Sequence, residues 1–191
     1  MNAGRALFKI GAMKFRRLSQ GSIRRGFTVG ELILALSAGG LLLAFFAPVY
    51  EKAKNMATLR ATIADMHMWE RAITDYVSDF GAAPTNPNGK INYKKPILRE
   101  LLPYLERVKT TDLWGSSYWI WTQAGIDEYG IRTAGVQDFV IVSLGKKGLR
   151  ENWTYDPRQP QAGHYLVSSS KDFEKDLVLW NGRFVRGPIN P

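Results

Sequence analysis

Cysteine is absent from this chain of 191 residues, and histidine occurs only twice. Without thiols there can be no disulfide, no Fe–S cluster, no cysteine-type zinc site and no thiolate nucleophile. His67 and His164 are too few for a histidine-rich metal centre, and neither accompanies a Gly-x-Ser-x-Gly elbow or an H-E-x-x-H pair. A Gly-rich phosphate loop is also missing. Asp172, Glu174 and Asp176 are close in sequence, but carboxylates so spaced are common on surfaces and carry no glycosidase signal without a cleft. Trp114, Trp119 and Trp121 could line a sugar groove, yet they fall in a β-rich stretch where tryptophan is more often core. No catalytic residue can be nominated, and the expectation is a protein that is not an enzyme.

Acid is missing from one part of the chain. Residues 1–26 hold seven bases (Arg5, Lys9, Lys14, Arg16, Arg17, Arg24, Arg25) and no Asp or Glu. The formal net charge is +9, but the remaining 165 residues carry 19 bases against 17 acids. The basicity therefore belongs to the N-terminal tail, and the argument for a nucleic-acid partner falls away once that tail has another role.

Charge is then almost absent. From Phe27 to Val49 the chain reads FTVGELILALSAGGLLLAFFAPV with Glu31 as its one charged residue, and Leu32 to Val49 has none over 18 residues. About 20 apolar residues cross a bilayer as a helix, and a basic flank holds the N-terminus on the cytoplasmic side. A core helix rarely stays apolar all round for so long. A secretory signal needs a shorter run and a small-x-small site, whereas Ala47 here is followed by Pro48. The run reads as a membrane span.

Glu31 stands at the head of the span, where a carboxylate in hydrocarbon costs ~3 kcal/mol or more. Either it snorkels to the headgroups and does nothing further, or it awaits a cation. Cutting the Gly26–Phe27 bond would remove all seven leader charges and expose an ammonium on Phe27, one helical turn before Glu31. That ammonium could neutralise the glutamate of its own chain or of a neighbour.

Arg24-Arg25-Gly26-Phe27-Thr28-Val29-Gly30-Glu31-Leu32 resembles the prepilin-peptidase motif of type IV pilins and type II secretion pseudopilins, and Pro48 matches a proline common in their helices. Two departures are the long leader and Val29-Gly30, where a bulkier apolar pair is frequent. Asp79-Phe80-Gly81 with Pro84-Thr85, Asp112-Leu113-Trp114-Gly115-Ser116-Ser117-Tyr118, and Asp138 to Gly145 resemble the helix exit, the turn and the strand of the major pseudopilin of type II secretion. Both prolines of that family's turn are replaced. The resemblance covers most of residues 24–150 and, more loosely, the C-terminal hairpin.

After Glu51 the pattern turns amphipathic, with Met56, Leu59, Ile63, Met66, Ile73, Val77 and Phe80 mostly three and four apart. Lys52, Lys54, Arg60, Asp65, Arg71, Asp75 and Asp79 take the other faces. Gly81 and Pro84 stop the helix, which should run from about Phe27 to Phe80, about 80 Å. Gly39-Gly40 and Pro48 weaken its middle. Residues 81–113 read as a connecting region with a short helical pattern over Ile97–Val108, broken by Pro103. Ser117–Thr122, Asp138–Ser143, a weaker His164–Ser168, Leu177–Trp180 and Arg183–Arg186 read as strands, the last two joined by an Asn181-Gly182 hairpin turn. The expected fold is α+β: a long N-terminal helix, half transmembrane and half amphipathic, packed on a small C-terminal antiparallel sheet as in pilins. The expected divisions are a leader (1–26), a membrane or filament-core helix (27–50), an amphipathic half (51–81) and a periplasmic or extracellular globular region (82–191).

The resemblance implies cleavage between Gly26 and Phe27 by prepilin peptidase, N-methylation of Phe27, and assembly through Glu31 and Pro48. It implies a homopolymer with other pilin-like subunits, an inner-membrane assembly platform and an ATPase as partners, and a filament that drives protein export. A type IV pilus subunit, or an anchored periplasmic binding module, is the alternative. The family's calcium loop departs here: Gly145-Lys146-Lys147-Gly148 puts Lys147 where an acidic ligand belongs, and a hard cation needs six to eight oxygens. No metal or other cofactor is expected, with Glu174 and Asp176 as fallback ligands. The sequence suggests instead that the Lys147 ammonium pairs with Glu174 or Asp176.

Overall fold

The computed structural model describes residues 26–86, 89–132, 135–189 and 191. Of the expected leader, only Gly26 is among them. The chain divides between Leu43 and Ala44 into two units.

Helix α1 covers Val29–Phe80, 52 residues. It starts two residues later than expected, because Thr28 serves as its cap (below). Pro48 deprives the backbone ladder of one donor but does not end the helix. Gly81 does: it adopts φ 77°, and its N–H donates to the Val77 carbonyl at 2.7 Å. A left-handed residue just past the last turn is the usual glycine stop.

The second unit, Ala44–Pro191, is built on a five-stranded sheet in the order β1-β2-β4-β5-β3. Its strands are β1 (Trp119–Thr122), β2 (Phe139–Ser143), β3 (His164–Tyr165), β4 (Leu177–Trp180) and β5 (Arg183–Pro188). The first four strands in that order form three antiparallel pairs, but β3 runs parallel to β5. The sheet is therefore mixed, which corrects the antiparallel expectation. Between β3 and β5 the chain makes a 3₁₀ turn (Ser170–Glu174) and the whole of β4. That connection is long enough for a parallel pairing, which a tight hairpin could never make. At the β4–β5 hairpin, Asn181 (φ 45°) and Gly182 (φ 80°) take the two positive-φ positions of a type I′ turn.

Alternation along the strands separates two apolar layers. Ile120, Ile141 and Leu179 lie opposite one another on adjacent strands and pack with Leu59, Met66, Trp69 and Ile73 of α1. The stripe on the helix thus finds its sheet face. On the other face Trp121, Val140 and Val178 pack with Ile126, Tyr129 and Ile131, which belong to a 3₁₀ stretch (Gln123–Tyr129) and its continuation. Both faces are covered, and β2 is buried at every residue. The short helical pattern becomes α2 (Pro96–Leu101), followed by a 3₁₀ turn over Leu102–Tyr104 that accommodates Pro103.

Asp65 is not on a solvated face as its charge suggested. It is 1 % exposed, and its carboxylate accepts from Arg107 Nη2 at 2.9 Å and Lys109 Nζ at 2.7 Å. A buried carboxylate persists where paired cations compensate its lost hydration. Phe80, expected in the apolar stripe, is 65 % exposed. Asp112 organises the turn that follows: Oδ1 accepts the N–H groups of Trp114 (3.1 Å) and Ser116 (2.8 Å), and Oδ2 accepts the Ser143 hydroxyl (2.7 Å). The turn is thereby tied to the end of β2, and burial pushes the Asp112 carboxyl above its ordinary range.

Candidate functional site

Gly26, Phe27 and Thr28 form an exposed, non-helical lead into α1. The Glu31 carboxylate accepts the Thr28 backbone N–H at 2.8 Å and the Thr28 hydroxyl at 3.0 Å. In return the Thr28 hydroxyl accepts the Glu31 N–H at 3.2 Å. This is a capping box, in which a Thr and a Glu three residues on satisfy each other's orphan donors. The Thr-x-x-Glu spacing that signals it is visible in the sequence. Glu31 therefore has a local partner in the uncut chain, where the Phe27 nitrogen is an amide and offers no cation.

Beyond the box, the helix offers only apolar surface. Phe27, Leu34, Leu43 and Phe45 are each more than 70 % exposed. Helix α1 is long and apolar enough to cross a membrane, and none of its most apolar stretch is buried within the chain. Pro48 lies within this run, exposed like its neighbours. At roughly 25 cal/mol per Å² of apolar surface, such a helix half is strongly driven out of water.

The three acids near the C-terminus have separate roles. Asp172 caps the 3₁₀ turn: its Oδ2 accepts the N–H groups of Ser168 (3.0 Å) and Ser169 (2.8 Å), and its Oδ1 holds Lys175 Nζ at 2.7 Å. Lys175, followed by the Ser169 N–H, keeps the Asp172 carboxyl well below the usual carboxylate range. Glu174 is exposed. Asp176 is fully buried, with its Oδ2 accepting the Glu151 N–H at 3.1 Å while the Glu151 carboxylate accepts the Asp176 N–H at 3.1 Å. Arg186 completes this clasp, with Nε at 2.9 Å from Glu151 Oε2. Burial raises the Asp176 carboxyl to about 6, and the Glu151 charge adds to the rise. Its Oδ1 and the Tyr129 hydroxyl are buried without hydrogen-bond partners among the described residues.

Lys147 pairs with neither Glu174 nor Asp176. Lys146 instead forms an ion pair with Glu51 at 3.1 Å, and Arg150 further along the loop pairs with Glu128. Gly145, at φ 61°, lets the backbone pass so close to residues 173–175 that a Cβ there would lie 2.6 Å from the Lys175 carbonyl. The Lys146 N–H donates to the Phe173 carbonyl at 2.7 Å. Contact between the two loops thus runs through the backbone, and a lysine side chain is not needed to join them. The carboxylates beside this loop are already engaged or stand apart. Glu151 and Asp176 have taken backbone N–H groups and an arginine, Lys147 and Arg150 lie alongside, and no group of three or more ligating side chains gathers among the described residues.

His67 and His164 do not meet. His67 Nδ1 sits 3.0 Å from Glu70, and its ring stacks edge-on against Phe184, whereas His164 belongs to β3.

No family model, curated protein or solved structure matches the chain.

Proposed function

We propose that the chain is a pilin-like filament subunit, closest to the major pseudopilin of type II secretion. Prepilin peptidase would cut Gly26 from Phe27, the new Phe27 amine would be methylated, and subunits would leave the inner membrane to polymerise through the first half of α1. The export work would be mechanical, with the assembly platform and ATPase supplied by other chains. One observation carries the reading: an uncharged helix half with exposed large side chains, headed by Gly26-Phe27-Thr28 and Glu31. Such a surface needs lipid first and copies of itself afterwards, and cleavage supplies the cation that Glu31 lacks in the precursor.

The test is Gly26→Glu. The cut requires a near-hydrogen side chain before the scissile bond, so this variant should remain a full-length membrane precursor and form no sedimentable filament. Filaments assembled from uncut Gly26→Glu would overturn the proposal.

A further inference from the structure

The loop after β2 places charge and apolar surface where α1 leaves its apolar run. Val49 ends that run, and Glu51, two residues on and about 3 Å further along the axis, is the residue that Lys146 Nζ touches at 3.1 Å. Lys146, Lys147, Leu149 and Arg150 are all exposed, Leu149 at 62 %. Lys147 and Leu149 share a groove of about 650 Å³ with Lys171 and Glu174. Lys52, Lys54, Lys147 and Lys171 form no ion pair among the described residues.

We propose that Gly145–Arg150, together with Lys52, Lys54 and Lys171, is a docking surface for anionic lipid headgroups on the subunit while it is still anchored in the membrane. The proposal rests on the reading of α1 as a membrane span. The polar layer beyond the hydrocarbon is several ångströms thick on each side, so the Lys146 ammonium at Glu51 reaches it and the loop that carries Lys146 is within a side chain's length of it. There an exposed leucine enters the acyl boundary while neighbouring lysines meet phosphates. Each lysine near an anionic surface contributes measurably to attachment. Glu174 opposes the contact, and Lys146 neutralises Glu51. A docked globular unit would be held at the bilayer until assembly pulls it away.

Because the chain has no cysteine, a single introduced thiol can be labelled uniquely. Leu149→Cys, Phe80→Cys and Leu42→Cys in the full chain each receive an environment-sensitive fluorophore. Each is reconstituted into phosphatidylcholine vesicles, with or without phosphatidylglycerol, that carry nitroxide-labelled lipid. The label at 149 should be quenched well above that at 80 when phosphatidylglycerol is present, and each of Lys147→Gln and Lys171→Gln should lower the contact population about fivefold. If 42 is quenched but 149 is no more quenched than 80, the docking inference fails and the span stands. If 42 is not quenched, the span fails and the inference with it. Quenching at 149 that is equal without phosphatidylglycerol, or protection there that grows with protein density and points to a second copy, also overturns the inference.

Discussion

Asp176 is ionised at neutral pH at the expense of the folded state. Its carboxyl sits at about 6 in the fold against an ordinary value of 3.8, chiefly because it is buried. Between those values the folded chain binds more protons than the unfolded one, so stability rises as pH falls through about 6. Asp172 acts in the opposite direction and in a lower window: its depressed carboxyl stabilises the fold above about pH 4, and that contribution is lost as pH falls further. Melting temperature should therefore climb as pH is lowered from about 7.5 to about 5, with a gain on the order of 1 kcal/mol. Asp176→Asn should flatten that climb, and an equally steep climb in the variant would assign it elsewhere. Under the proposed assembly, Glu31 has two separable roles. Thr28→Ala removes the hydroxyl half of the cap, worth about 1 kcal/mol, but keeps the backbone N–H at position 28 and the Glu31 carboxylate that a neighbour's Phe27 amine would meet. Glu31→Ala removes both. Sedimentation should recover near-normal filament from Thr28→Ala and little from Glu31→Ala; equal losses would mean that Glu31 is only a helix cap.

Among the elements, α1 was the most legible, because apolar spacing, Gly81 and the uncharged run depend only on local sequence. The Asn181-Gly182 hairpin was legible for the same reason. Burial of Asp65 was not, since its partners Arg107 and Lys109 lie more than 40 residues away and only the tertiary fold brings them close. The parallel β3 edge and the second apolar layer likewise depend on long connections whose paths have no local signal. The capping box was legible too, since Thr28 and Glu31 are three residues apart, although a lone acid before an apolar run signals a charge in lipid just as strongly. Asp65→Ala should cost about 2–3 kcal/mol in denaturant unfolding, toward the low side because Arg107 can turn to water; a change under about 0.5 kcal/mol would show the pair to be idle. The loops over 145–176 close on backbone contacts and the Glu151–Asp176–Arg186 clasp. Melting should thus be the same in calcium and in chelator, and a calcium-dependent rise of several degrees would contradict that closure, since a ligand of the folded state must stabilise it.

At the scale of the molecule, two surfaces make opposite demands. The unit from Ala44 to Pro191 buries its apolar residues on both faces of its sheet, while the start of α1 leaves nearly all of its own exposed. A helix half of that kind is at home in lipid or among copies of itself, and the residues that would govern passage from one to the other are Gly26, Phe27 and Glu31. The most direct measurement is the mass of the N-terminal peptide from sedimentable, cell-derived material. A peptide beginning at Phe27 and heavier by one methyl group is the expected result. An intact Met1 in assembled material would contradict the account at its centre.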